Sequence, residues 1–191
     1  MSLKLSTDNF IMRTGKNKTC WHVLTGGPSC GKTTLINSLS QMGYKTSPEV
    51  ARQIIEEEVL KGKTLEQIRG PEGNFQEKVF KKAVEREQCL SPKELVFLDR
   101  SLLDCLAYSL FNNSNPIERQ KVSRKYEYSK IFFLERVVWE KDHTRTEDEE
   151  TARQIDEFLK KVYQEEGYEL IFIPPVSVEE RIKFILGYLQ N

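Results

Sequence analysis

Neither sign of charge is in excess in this 191-residue chain: 29 Lys and Arg stand against 29 Asp and Glu. A general nucleic-acid binder would carry a basic surplus, so no nucleic-acid partner is expected. Long hydrophobic runs are also missing. The longest uncharged apolar stretches are about four residues, against roughly 18 for a bilayer span, so no membrane partner is expected. The segment Met1–Asp8 has no apolar stretch of the secretory kind. Cysteine is sparse: Cys20, Cys30, Cys89 and Cys105 form no C-x-x-C pair and no zinc spacing. Reduced thiols and a cytoplasmic location follow as expectations. His22 and His143 are the only histidines, and neither has a partner at metal or triad spacing, so both read as non-catalytic. Hydrophobic residues at 38% are enough for a core, and the length suits one domain.

Short apolar runs alternate with longer helical patterns. The runs are Cys20–Leu24, Leu95–Leu98, Ile131–Leu134 and Leu170–Ile173, with a weaker strand expected at Tyr44–Ser47 after Gly43. Continuous apolarity without alternation is what strands buried on both faces of a parallel sheet require. Between them, Val50 and Ile54 with Ala51, Ile55 and Val59 predict one helical side, ending near Gly62. Phe75, Val79, Phe80 and Ala83 predict another, Ile155, Phe158, Leu159 and Val162 a third, and Ile182, Ile185, Leu186 and Leu189 a last. Thr146-Glu147-Asp148-Glu149 fits a capping box, so the acidic run there reads as helix-start chemistry and not as a metal cluster. Residues 1–18 read as a tail or edge element, and 19–191 as one α/β domain with a mostly parallel sheet.

The sharpest signal is Gly26-Gly27-Pro28-Ser29-Cys30-Gly31-Lys32-Thr33-Thr34. It contains G-x-x-x-x-G-K-T directly after an apolar strand and before a helical pattern. Glycines let the chain curl so that successive N–H groups face phosphate oxygens. The following helix adds a positive end, Lys32 reaches the β- and γ-phosphates, and Thr33 offers a hydroxyl to Mg²⁺. Gly26 through Thr34 are therefore candidate ligands of a nucleotide triphosphate, with Cys30 read as a small filler. ATP and Mg²⁺ are the expected cofactors.

Asp99 ends the run Leu95–Leu98, which places a carboxylate at the C-terminal sheet edge, where a Mg²⁺-holding acid belongs. Arg100 beside it is a candidate grip for substrate. Glu49 and Arg52, three residues apart at the start of a helix, can share a face, and Asp104 sits on the first turn after Asp99-Arg100-Ser101. Each has a plain alternative, as a surface ion pair or a dipole-stabilised helix start. The polar segment from Arg136 to about residue 147 stands where small phosphotransferases carry a lid. Within it, Arg145 is a candidate cis arginine finger. Pro174-Pro175-Val176, after the last strand, could touch an adenine, with Pro175 the candidate contact.

With Gly26–Thr34, Glu49-x-x-Arg52, Leu98-Asp99-Arg100-Ser101-Leu102-Leu103-Asp104-Cys105-Leu106-Ala107-Tyr108 and Trp139–Thr146 in view, the chain resembles a family of small AAA-like predicted P-loop ATPases. These are relatives of the nicotinamide riboside kinase domain, whose own motif lacks the arginine after the aspartate. The resemblance spans about residues 20–190. It implies a three-layer P-loop NTPase fold of nucleotide-kinase type, a five-stranded sheet of order 2-3-1-4-5, Mg-ATP use, and phosphoryl transfer or ATP hydrolysis.

The expected function is that of a small-molecule kinase moving the γ-phosphoryl of Mg-ATP to an acceptor hydroxyl or phosphate. Lys32, Glu49, Asp99 and Arg145 would be catalytic, Thr33 and Asp99 would hold the metal, and Arg52, Arg100 and Asp104 would shape the acceptor site. The alternative is an ATP-hydrolysing switch acting on a protein partner. A guanine-reading N-K-x-D motif is not formed, because Asn17-Lys18 precedes the first strand.

Overall fold

The computed structural model describes residues 16–70, 74–112, 116–136 and 149–189. In chain order the elements are β1 (Asn17–Lys18), β2 (Trp21–Thr25), α1 (Lys32–Gln41), β3 (Lys45–Ser47), α2 (Val50–Leu60), α3 (Leu65–Arg69), α4 (Phe75–Gln88), β4 (Val96–Asp99), α5 (Leu102–Phe111), α6 (Ile117–Ser123), β5 (Tyr126–Glu127), β6 (Lys130–Leu134), α7 (Glu149–Glu165), β7 (Leu170–Ile173) and α8 (Val178–Gly187). Thr146 of the expected capping box lies outside the described residues.

Five strands pair in parallel in the order β3-β4-β2-β6-β7. Numbered among themselves along the chain, they run 2-3-1-4-5, the order the resemblance implies. The three central strands are the apolar runs: β2 and β4 are buried throughout, and β6 is buried except at Lys130. Edge strand β7 is partly open, with Phe172 exposed. At the start of the described chain, β1 makes a separate parallel pair with β5.

Alternate residues of each strand face opposite layers. Trp21, Val23, Val96, Leu98, Ile131 and Phe133 pack with Leu103, Leu106, Ile155, Leu159 and Val162 of α5 and α7. Their neighbours Leu24, Phe97, Phe132 and Leu134 pack with Leu35, Leu39, Ile182 and Ile185 of α1 and α8. A third cluster joins α2, α4 and the start of α5 through Val50, Ile54, Phe80, Ala83 and Leu102. The expected stripe on α2 needs one correction. Its buried line is Val50, Ile54 and Glu58, whereas Val59 is 48% exposed. Glu58 can take the inward place because Lys61 and Lys63, just beyond the helix, bind its carboxylate.

Because all five strands run the same way, their C-terminal ends lie along one edge of the sheet. Thr25, Ser47, Asp99, Leu134 and Ile173 end there, and the loops that follow them converge at that edge.

Candidate phosphate and acceptor site

The loop between β2 and α1 takes its shape from three left-handed residues: Gly26 (φ 135°), Ser29 (φ 61°) and Gly31 (φ 92°). Glycine is obligatory at position 26 on two counts. Its φ disfavours any side chain, and a Cβ there would come within 2.8 Å of the Leu134 carbonyl oxygen. The N-cap of α1, Gly31, brings no capping side chain, and the first turn has no acidic residue. The positive end of that helix is left open for an anion. Pro28 has no N–H to give, and the Gly27 N–H is donated to Asp156 Oδ1 at 2.6 Å. A phosphate cradle in this loop would therefore draw on the N–H groups from Ser29 through Thr34.

Lys32 is only 5% exposed. Its Nζ donates to the Gly26 and Gly27 carbonyls at 3.0 and 2.7 Å and to Cys30 Sγ at 3.3 Å. This holds the ammonium over the loop. Cys30 is buried and fills the space under it.

Asp99 ends β4 fully buried, with Oδ2 3.4 Å from the Thr33 hydroxyl. Its Oδ1 is buried and has no hydrogen-bond partner among the described residues. Burial pushes the Asp99 carboxyl up to about 6; Glu49 and Asp104 push the same way, while Lys32 and Arg100 oppose them. An orphaned carboxylate oxygen beside a threonine hydroxyl suits Mg²⁺, a hard cation that takes oxygen ligands and keeps several waters. The residues present fit the ion.

A consequence for stability follows. The folded-state pKa lies above the ordinary 3.8, so the ionised carboxylate costs stability above pH 6. That cost fades as pH falls through 6 toward 4. Asp99→Asn is expected to raise the melting temperature of the nucleotide-free protein by about 2–6 °C at pH 8, with a smaller gain at pH 5. Melting curves at the two pH values check it, and an equal shift at both would refute the electrostatic origin.

Arg100 stands at the centre of a second group. It follows β4 in the left-handed region (φ 66°), a strained conformation for a non-glycine residue. Arg86 of α4 holds it there by donating to the Asp99 and Arg100 carbonyls at 3.3 and 2.9 Å. The Arg100 side chain donates from Nε to Glu49 Oε1 at 2.8 Å and from Nη1 to Asp104 Oδ1 at 3.1 Å. Its guanidinium also lies over the Tyr108 ring, 5.2 Å from the centroid.

Asp104 is buried and saturated with donors. Oδ1 also accepts from the Thr25 hydroxyl at 2.7 Å, and Oδ2 accepts from Tyr163 OH at 2.6 Å and the Ser101 N–H at 2.9 Å. It fixes Arg100 to the end of β2 and to α7. Glu49 is the N-cap residue of α2. Burial works to raise its pKa, but Arg100, Lys32 and Arg52 outweigh this and hold it below the usual value. The structure thus brings Glu49, Asp99, Arg100 and Asp104 together beside Lys32. Arg52 is exposed one turn along α2, and Glu49 pairs with Arg100 in its place.

Several contributors carry no sequence signal. Arg181 of α8 is buried and donates to the carbonyls of Cys30 (2.7 Å), Pro174 (2.9 Å) and Glu135 (3.0 Å). It ties the phosphate loop to the loop holding Pro175, which is itself exposed. In the sequence it is one charge among others on an amphipathic helix. Arg86, Asp156 and Tyr163 are equally anonymous there. Arg145 and residues 137–147 of the lid expectation lie outside the described residues. His22 is buried against the rings of Phe97 and Phe132, and burial, then Lys130, lowers it to about 4, so it is neutral.

The fold has counterparts. Residues 21–181 match the model of a family described as an AAA domain, whereas no curated protein matches the sequence. Among solved structures, deoxyadenosine kinase from M. mycoides with dCMP and dCDP bound superposes with a TM-score of 0.64 at 14% identity, covering 89% of this chain and 98% of that one. The NadR protein in complex with NR gives 0.61 at 19% identity, over 82% of this chain and 43% of that one. Thymidylate kinase from Ehrlichia chaffeensis gives 0.59 at 12% identity, over 91% and 100%. These likenesses concern the fold, which is that of small P-loop kinases. With the family model spanning most of its length, the chain belongs to the AAA-domain family of P-loop proteins.

Proposed function

We propose that this protein is a Mg-ATP-dependent kinase whose acceptor is a hydroxyl of a small, uncharged, nucleoside-like molecule. The observation that carries the choice of acceptor is the bracketing of Arg100 by Glu49 and Asp104. A phosphate acceptor needs a free cation to offset its charge. The Arg100 guanidinium at the centre of this group is already matched by two carboxylates, and Lys32 is committed to the loop that would hold ATP. Among the described residues this leaves a phosphate acceptor only Arg52, at the exposed rim. A neutral hydroxyl beside Glu49 meets no such conflict. Deoxyadenosine kinase and thymidylate kinase, both similar in fold, exemplify the two acceptor classes.

In this reading the kinase unit spans residues 19–191. The triphosphate lies in the cradle from Ser29 to Thr34, with Gly26, Gly27 and Pro28 shaping its entrance. Thr33 and Asp99 would hold Mg²⁺, which would supply positive charge to offset that of the phosphates. Glu49, ionised at neutral pH, orients the acceptor hydroxyl and takes its proton as the oxygen attacks the γ-phosphorus. The bond to the bridging oxygen of ADP breaks, and Lys32 stabilises the charge developing there. Arg100 and Asp104 set the position of Glu49, Arg52 borders the acceptor, Arg145 closes over the phosphates and Pro175 meets the adenine. A switch that only hydrolyses ATP has no need of this carboxylate–guanidinium group beside the loop.

ADP formation measured with a panel of nucleosides and their monophosphates tests the choice. Nucleosides are expected to raise turnover of Mg-ATP at least about tenfold over basal hydrolysis, while monophosphates leave it near basal. Stimulation by monophosphates alone would overturn the acceptor class, and stimulation by neither would favour the hydrolysing switch.

A further inference from the structure

Gly27 is a glycine for a different reason from Gly26. Its φ is not among the positive ones, so its backbone would accept a side chain. The obstacle is Asp156 of α7. A Cβ on Gly27 would lie 2.6 Å from Asp156 Oδ1 and 3.3 Å from its Cγ. The same Oδ1 accepts the Gly27 N–H at 2.6 Å. The other oxygen, Oδ2, accepts from Arg136 Nη2 at 2.6 Å. Asp156 is 9% exposed, so a carboxylate charge sits almost without water against the phosphate loop.

Such a charge would repel a triphosphate bound in that loop unless it is cancelled. Arg136, two residues past β6, supplies the cancellation. We propose that Asp156 is a positioning residue that sets the phosphate loop through the Gly27 N–H, and that Arg136 neutralises it so that the triphosphate can bind. The inference rests on the reading of Gly26–Thr34 as a triphosphate site. The Gly27 N–H is the loop donor that the cradle does not use, and fixing it orders the turn before ATP arrives. An ordered loop loses less entropy on binding. Asp156 and Gly27 are 129 residues apart, so the contact also couples α7 to the loop.

The test is calorimetric binding of a non-hydrolysable ATP analogue with Mg²⁺ to the full chain, with melting curves to verify folding. Arg136→Gln leaves the carboxylate uncancelled and is expected to weaken binding about tenfold, more at low salt than at high. Asp156→Asn keeps an acceptor for Gly27 without the charge and is expected to bind within about threefold of wild type. The double variant should resemble Asp156→Asn, because Arg136 then has nothing to cancel. Losses that multiply would mean Arg136 acts on the nucleotide directly and would overturn the proposal. A steric cycle checks the same contact: Gly27→Ala should weaken binding about thirtyfold or more in the wild type, and much less alongside Asp156→Ala. If Asp156→Ala lowers the melting temperature but leaves the analogue's affinity unchanged, Asp156 is merely structural and the proposal fails. Should Asp156→Ala not fold, the charge cycle decides alone. Wild-type protein that does not bind the analogue would instead remove the triphosphate reading itself.

Discussion

Lys32→Ala is expected to cut ADP formation at least about a hundredfold, because a fixed cation is lost from a site with little water. In the wild type Lys32 is 5% exposed, and its ammonium is already held at the loop by the Gly26 and Gly27 carbonyls and Cys30 Sγ. Little reorganisation is needed for it to meet a phosphate, so its full charge is available in the transition state. Removing it also strips two carbonyls of a donor, which disturbs the loop itself. Steady-state ADP release with calorimetric binding of the ATP analogue checks this. Both should fall, turnover more than affinity, since the charge on the transferring group grows during the reaction. Near-normal turnover would remove the phosphate-loop assignment.

Glu49→Gln is expected to leave Mg-ATP binding close to wild type and to reduce acceptor-dependent turnover by about a hundredfold to ten-thousandfold. Gln keeps the size and an acceptor oxygen for Arg100 Nε, so the 2.8 Å contact can persist. It cannot take a proton. Basal hydrolysis should change far less, because water does not rely on Glu49 for its position. The two activities, measured on one preparation with the best nucleoside acceptor, separate the roles. Equal loss in both would move Glu49 into the Mg²⁺ shell. No loss in either would leave Glu49–Arg100 a structural ion pair. The pH profile adds a sign: Arg100, Lys32 and Arg52 hold the Glu49 pKa below its ordinary value against the effect of burial. Its ionised form therefore persists below pH 4.5, so protonation of Glu49 does not account for an acid loss of activity nearer pH 6.

The strands were legible because burial on both faces demands contiguous apolar residues, as Trp21–Thr25 and Val96–Asp99 illustrate. The loop Gly26–Thr34 is legible as a candidate phosphate loop because the glycines, lysine and threonine of such a loop must be adjacent in the chain to curl around one ligand. Asp99 and Asp104 were found by position, at a strand end and a first helical turn. The α2 stripe differs from expectation at Val59, because the blocks Ile54-Ile55, Glu56-Glu57-Glu58 and Val59-Leu60 leave two possible faces. Only packing against α4 selects the one bearing Val50, Ile54 and Glu58.

What the sequence determined by itself is therefore local: which segments are strands or helices, and which loop is the candidate cradle for a triphosphate. Tertiary structure decided which charged groups meet. Glu49 found Arg100, 51 residues away, and not Arg52, three residues away. Gly27 found Asp156, and Cys30 found Arg181 across 151 residues. A charged side chain on a helix looks the same in sequence whether it faces solvent or a loop carbonyl. Parallel strands joined by crossovers bring distant chain segments to one sheet edge, and burial there drives most polar atoms to find a partner, Asp99 Oδ1 being an exception among the described residues.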